Sequence, residues 1–155
     1  MEDSIEKPVD IQCTAEKGAL LPVYKTSGAS GADICAFIAE PVTLAPGEIG
    51  IVPTGVCAAV PQGYEIQVRP RSGLAAKNGI TVLNTPGTVD SDYRGEIKII
   101  LINLGKIPFV IYNGDRIAQI VVTPVVRGNF IRTETLDETV RGTGGFGSTG
   151  VGVNA

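Results

Sequence analysis

Short β-branched and apolar runs recur along the whole chain, each bounded by glycine, proline or another turn residue. They are VDIQCTA (9–15), EIGIVP (48–53), GVCAAV (55–60), YEIQVRP (64–70), GITVLN (79–84), EIKIILINL (96–104), PFVIYN (108–113) and RIAQIVVTPVV (116–126). Many short strands at such spacing predict an all-β sandwich or barrel. ILINLG, IPFV and NGDRIAQI read as successive strands joined by tight turns, with Asn113-Gly114 the clearest turn signal. Two stretches break the pattern. SGLAAKNG (72–79) predicts a helix of one or two turns, with Ser72 as N-cap and Gly79 as its end. TETLDETVR (133–141) has poor periodicity and three Thr and one Val among its residues, so it predicts a turn or short 3₁₀ segment. EIKIILINL is apolar on nearly both faces, which predicts burial on both sides. In a chain this small, that hints at burial against another subunit.

Composition narrows the chemistry. The 155 residues suit one domain, and no internal repeat or second domain is visible. Net charge is −3, so no broad basic surface for nucleic acid is expected, and an anionic ligand needs a local cluster of positive groups. MEDSIEKPVD, at the N-terminus, is acidic and polar, unlike a signal peptide. No apolar run reaches the roughly 18 residues of a membrane span, so no membrane association is expected. Cys13, Cys35 and Cys57 are odd in number and lack a CxxC spacing. They suggest a reducing compartment, cytoplasmic or nuclear, rather than a disulfide framework or zinc site. Histidine is absent, which removes Ser-His-Asp and Cys-His catalysis and most zinc enzymes. Proton transfer then falls to a carboxylate, and any metal to a hard, oxygen-bound ion.

Five polar stretches are candidates for that chemistry. RGTGGFGSTG (141–150) satisfies G-x-G-x-x-G at Gly142, Gly144 and Gly147, but the dinucleotide fingerprint needs a helix after it. Only eight residues follow Gly147, and they read STGVGVNA, so that fold is excluded. A flexible tail and a nucleotide loop both remain. Arg141, Phe146, Ser148 and Thr149 can pair with phosphate, stack on a ring and donate hydrogen bonds. PRSGLA (70–75) is either an ordinary capped helix or an anion site built from Arg71, Ser72 and helix amides. NTPGTVDSDYRGEI (84–97) is either a hairpin loop or a site with an Asp as general base and Tyr93 as a flat wall. SGASGADICA (27–36) puts Asp33 ahead of a strand, the usual place of a turn or cap residue. In NGDRIAQI (113–120), Asp115 and Arg116 suit a structural pair and Gln119 a solvent-facing strand position.

Taken in order, SGADI, RPRSGLA, NTPGTVDSDYRGEI, NGDRIAQIVV and RGTGGFGSTG resemble the five motifs of the trimeric deoxyuridine triphosphate nucleotidohydrolases (dUTPases), over about residues 20–150. The resemblance implies a jelly-roll-like β-barrel in residues 1–140 and a flexible glycine-rich arm in 141–155. It implies a homotrimer with three sites at the subunit interfaces, each built from all three chains. Members cleave dUTP to dUMP and pyrophosphate with Mg²⁺, which limits uracil incorporation into DNA and supplies dUMP for dTTP synthesis.

By motif position, Asp90 resembles the general base. Asn84, with the backbone of Gly87 and Val89, resembles the uracil cradle. Tyr93 resembles the residue beneath the deoxyribose that leaves no room for a 2′-hydroxyl. Arg71, Ser72 and Gly73 resemble the phosphate-holding turn, and Gln119 a ligand of the α-phosphate or the attacking water. Asp33 resembles the residue that holds Mg²⁺ through water, the ion resting mainly on the triphosphate. In the arm, Arg141, Gly147, Ser148 and Thr149 resemble the γ-phosphate grip and Phe146 the lid on uracil. Many relatives carry Gly-Val-Ile-Asp or Gly-Leu-Ile-Asp where this chain has Gly87-Thr88-Val89-Asp90. A deoxycytidine triphosphate deaminase of the same fold and a trimeric binding module without catalysis are the competing readings. The Asp and Tyr of the hairpin oppose the first, and the retained Asp90 and arm oppose the second.

Overall fold

The computed structural model of the chain describes residues 8–150 and 152. Among these residues, ten strands form three antiparallel sheets around one core. They are β1 (Gln12–Ala15), β2 (Ala32–Cys35), β3 (Val42–Leu44), β4 (Ile49–Ala59), β5 (Tyr64–Arg69), β6 (Ile80–Val82), β7 (Gly87–Val89), β8 (Glu96–Asn103), β9 (Phe109–Ile111) and β10 (Arg116–Pro124). Helix α1 (Ser72–Asn78) lies between β5 and β6. One sheet has the order β1-β4-β8-β6, the second β2-β10-β5-β7, and β3 pairs with β9. This is the all-β architecture that the spacing of the runs predicts, jelly-roll-like as the resemblance implies. Val52, Ile99 and Leu101 from the first sheet meet Ile34, Ile66 and Ile120 from the second, with Leu44 and Ile111 closing the end. No helix among the described residues is long and apolar enough to cross a membrane.

The structure differs from the sequence reading in several places. The runs 48–53 and 55–60 are one strand, β4, because a register shift against β8 between Pro53 and Cys57 absorbs the proline and glycine. Asp33 lies inside β2, not ahead of it. The stretch 84–97 contains a true strand, β7, whose Gly87, Thr88 and Val89 pair with Val68, Gln67 and Ile66 of β5. Asn113-Gly114 does turn, with Gly114 at φ 85°. Yet β9 and β10 go to different sheets, because the turn bonds to the segment after β2: Ile38 N–H to Asn113 Oδ1 (3.0 Å) and Gly114 N–H to Ala36 O (2.8 Å). Residues 133–141 hold no 3₁₀ helix and turn only at their end, where the Gly142 N–H bonds to Thr139 O (3.1 Å); the rest are irregular and all are exposed, so nothing outweighs the cost of ordering their β-branched residues.

The double-sided burial expected of β8 is half met within one chain. Ile97, Ile99, Leu101 and Asn103 are buried, whereas Lys98 is exposed and Ile100 and Ile102 are only half-buried. On the same outer face, Ile49 and Ile51 of β4 pair with Ile102 and Ile100 and are 52% and 63% exposed. An apolar stripe is thus left on the outside of the first sheet.

Candidate active site

The second sheet brings one group of predicted residues together. Across its strands, Asp33 of β2 pairs with Gln119 of β10, and Gln119 pairs with Arg69 of β5. The Asp33 carboxylate takes Arg71 Nε on Oδ1 (3.2 Å) and Arg116 NH1 on Oδ2 (2.9 Å), with its side chain only 15% exposed. Arg71 NH1 donates to the Arg116 carbonyl (3.0 Å), and Gln119 Nε2 donates to the Pro70 carbonyl (2.9 Å). Any side chain at Gly31 would collide with the Gln119 amide. One carboxylate against two guanidiniums leaves one positive charge in excess, a local anion seat in an acidic chain. Arg116 therefore pairs with Asp33, not with Asp115, whose carboxylate instead accepts the Tyr112 N–H (2.8 Å). Burial, and then the Asp33 carboxylate, push the Cys35 thiol up against opposing pulls from Lys25, Arg116 and Arg71. It stays a neutral thiol beside the cluster.

Helix α1 leaves from this group. Its cap position is Arg71, with φ −91° and ψ 127°, and no side chain caps it. Ser72 is the first helical residue, not the cap, so its hydroxyl is not spent on the helix. Gly79 ends the helix in the left-handed conformation, as the sequence predicts.

The hairpin around β7 forms the second group. Asn84, Gly87, Val89 and Tyr93 line a cavity of about 210 Å³ with Ile51 and Lys98. The Tyr93 ring is fixed from two sides. Its hydroxyl donates to the Glu96 carbonyl (2.9 Å), and a Cβ on Gly95 would lie 2.5 Å from that hydroxyl oxygen. Arg94 NH1 donates to the carbonyls of Ser91 (2.7 Å) and Tyr93 (3.0 Å), closing the turn begun by the Tyr93 N–H bond to Asp90 O (3.2 Å). Arg94 and Gly95 are thus working parts that the sequence reading missed. Their signal was only an Arg-Gly after the tyrosine, which any turn could carry. Asp90 is exposed at the end of β7 and lines a second, larger cleft of about 1010 Å³ with Gln62, Tyr64, Arg94 and Arg127.

These groups are not joined within one chain. Neither Asp33, Arg71, Ser72 nor Gln119 lines the hairpin cavity or the Asp90 cleft. From β2 to β7 the sheet spans three strand spacings, roughly 14 Å. Among the described residues, the C-terminal segment from 130 onward joins neither. The last hydrogen bond to the barrel before it is from Val125 N–H to Gly63 O (2.8 Å). Beyond it, Phe130, Leu136, Val140 and Phe146 are fully or almost fully exposed. The hydrogen bonds of residues 133–150 are local, such as Arg141 Nε to Gly144 O (2.8 Å) and Ser148 N–H to Gly145 O (3.0 Å). Gly147 and Phe146 both sit at positive φ, 86° and 51°. The predicted arm residues Arg141, Phe146, Gly147, Ser148 and Thr149 are described; of its remainder, 151 and 153–155 lie outside the described residues. Among the described residues no cluster of three acidic or cysteine side chains could cage a metal ion.

Comparison with known proteins bears on what such a divided site does. A model of the dUTPase family matches residues 17–150. The chain is 58% identical over 139 residues to the deoxyuridine 5'-triphosphate nucleotidohydrolase of Chlamydia pneumoniae, covering 89% of this chain and 96% of that one. It is also 58% identical over 137 residues to the enzyme of the same name from Roseobacter denitrificans, covering 88% and 90%. Among solved structures, the dUTPase of Staphylococcus bacteriophage 80alpha with dUPNHPP superposes with a TM-score of 0.79 at 28% identity, covering 92% of this chain and 99% of that one.

Proposed function

The chain belongs to the dUTPase family and is an enzyme that hydrolyses dUTP, and from that premise we propose that it does so at sites shared between the chains of a homotrimer, with Asp90 as the base. One observation carries the proposal. The anion seat around Arg71, the hairpin cavity and the arm are separate within one chain, and a nucleoside triphosphate needs all three. The exposed stripe of Ile49, Ile51, Ile100 and Ile102 supplies apolar surface for association. The relative solved with dUPNHPP, a dUTP analogue, supports the substrate.

The residues divide the work by their chemistry. The Asn84 amide offers a donor and an acceptor to the O4 and N3–H edge of uracil, and the backbone of Gly87 and Val89 completes the cradle. Tyr93, held by Glu96 O and Gly95, lies beneath the sugar and excludes a 2′-hydroxyl. The Asp90 carboxylate takes a proton from a water as its oxygen bonds to the α-phosphorus. The bond from that phosphorus to the α–β bridging oxygen breaks, and pyrophosphate leaves with the electron pair. Gln119 orients the water or the α-phosphate. Arg71, Ser72 and Gly73 meet the bridging oxygen, where charge builds. Arg141, Ser148 and Thr149 of another chain's arm, with the Gly147 amide, grip the γ-phosphate while Phe146 covers uracil.

The donor set fits Mg²⁺ in one way only. Both Asp33 oxygens already serve arginines and the described residues form no cage, so Asp33 would hold the ion only through water, beside the triphosphate that would carry most of it. When bound, it neutralises phosphate charge. The odd count of cysteines without a CxxC spacing points to a reducing, cytoplasmic setting, where the reaction would limit uracil in DNA and supply dUMP.

Pyrophosphate release from dUTP, dCTP, dTTP and UTP in parallel, with Mg²⁺, tests this assignment. Release from dUTP alone is expected. Comparable release from dCTP would remove the Asn84 cradle as the base reader, and comparable release from UTP would remove Tyr93 as the sugar reader.

A further inference from the structure

Helix α1 is held at its two ends rather than along its length. It has seven residues, none buried, and only Leu74 leans on the core. A helix this short has little stability of its own. At its start it is tied by Arg71 and by the Gln119 bond to Pro70. At its end it rests on the corner that follows β8. Gly79 lies there at φ 68°, and its carbonyl accepts the Leu104 N–H (2.8 Å). A Cβ on Gly79 would lie 2.5 Å from Gly105 N, and one on Gly105 would collide with the Asn78 carbonyl oxygen. Two glycines back to back therefore set how closely the helix end meets the corner.

Asn103 shapes that corner. It is fully buried, at 0% exposure. Its Nδ2 donates to the carbonyls of Leu44 and Ile107, both at 2.8 Å, and its Oδ1 accepts the Gly105 N–H at 2.8 Å. A buried amide with every polar group engaged allows one arrangement of its neighbours. This explains an asparagine at an inward position of an otherwise apolar strand.

We propose that Asn103 and Gly105 are positioning residues for the phosphate end of the nucleotide, acting through α1 on Arg71, Ser72 and Gly73. The proposal rests on the assignment of residues 71–73 to the phosphates. The helix is about 10 Å long, so a displacement at the corner is carried nearly undiminished to its start. Of the residues lining the hairpin cavity, only Val82 and Asn84 follow Gly79 closely, and β8 pins Val82 through its pairing with Leu101, so the site of base and sugar should feel the displacement less.

That separation supplies the test. Affinity is measured for dUPNHPP and for deoxyuridine, which has no phosphates and needs only the hairpin. Gly105→Ala introduces the collision with Asn78. Gly79→Asn is the second variant, because asparagine tolerates the left-handed conformation and so isolates the clash with Gly105. Gly18→Ala is the control: it has φ 95°, its added Cβ would make only an ordinary 3.7 Å contact with Phe37, and it lies away from the corner, so it reports left-handed strain. Both corner variants should weaken dUPNHPP about tenfold or more, with deoxyuridine affinity within about twofold of wild type, and Gly18→Ala should change neither. Unchanged dUPNHPP affinity in the corner variants, with Arg71→Lys still weakening it, would overturn the positioning role and keep the phosphate assignment. Equal loss of both ligands would also overturn it, as general destabilisation. If Arg71→Lys and Ser72→Ala leave dUPNHPP affinity untouched, the phosphate assignment falls and the positioning role falls with it.

Discussion

Asp90 and Tyr93 sit three residues apart, yet they face different spaces and are assigned different roles. Asp90 lines the open cleft, whereas Tyr93 walls the hairpin cavity. Asp90→Asn keeps the shape of the side chain and removes its basicity. It should leave dUPNHPP affinity within about threefold while turnover of dUTP falls by about 10²-fold or more. Turnover near wild type would remove Asp90 as the base. Tyr93 depends on a neighbour with no side chain. Gly95→Ala puts a methyl group against the ring and hydroxyl, so the ring must move. The preference for dUTP over UTP, measured as a ratio of kcat/KM, should drop by about tenfold or more. An unchanged ratio would mean that the ring position does not read the sugar. Asp33 shows what residue types alone do not reveal. Its identity marks a motif, but its two arginine partners come from α1's cap position and from β10, 38 and 83 positions away in the chain.

At the level of elements, the hydrophobic pattern located most strands because each core strand carries its own β-branched, apolar run. β5, β8 and β10 were legible for that reason. What was hidden depended on pairing. Pro53 and Gly55 look like punctuation, but a register shift lets β4 pass through them. β3 and β7 have three residues each, too few to show a period, and exist because β9 and β5 offer them partners. The division of the site was likewise illegible in the residues themselves. Motif order names the parts, while only the register of β2, β10, β5 and β7 shows which of them meet. The arm is the reverse case. Its glycines and exposed Phe146 mark it as unpacked in sequence and structure alike. Deleting residues 141–155 should therefore leave the Tm within about 2 °C, since surface changes without packing rarely exceed about 0.5 kcal/mol. Turnover of dUTP should nonetheless collapse. A truncated chain with full activity would refute the arm's role.

The whole chain is acidic, with two of its positive charges gathered at the proposed phosphate end. Net charge is −3, yet Arg71 and Arg116 converge on one carboxylate beside the start of α1. An acidic surface with one local positive seat disfavours polyanions and still admits a triphosphate. The same whole-molecule view explains the apolar outer stripe on β4 and β8 and the arm that turns away from its own barrel. Both make sense when chains associate and exchange parts. The most direct measurement uses mixed assemblies. Asp90→Asn chains keep the arm and lack the base; chains ending before Arg141 keep the base and lack the arm. Each alone should be nearly inactive. Co-expressed with distinguishable tags and purified through both, the mixed assemblies should release pyrophosphate from dUTP, because base and arm then come from different chains. Mixed assemblies that remain as inactive as their parents would contradict a site shared between chains.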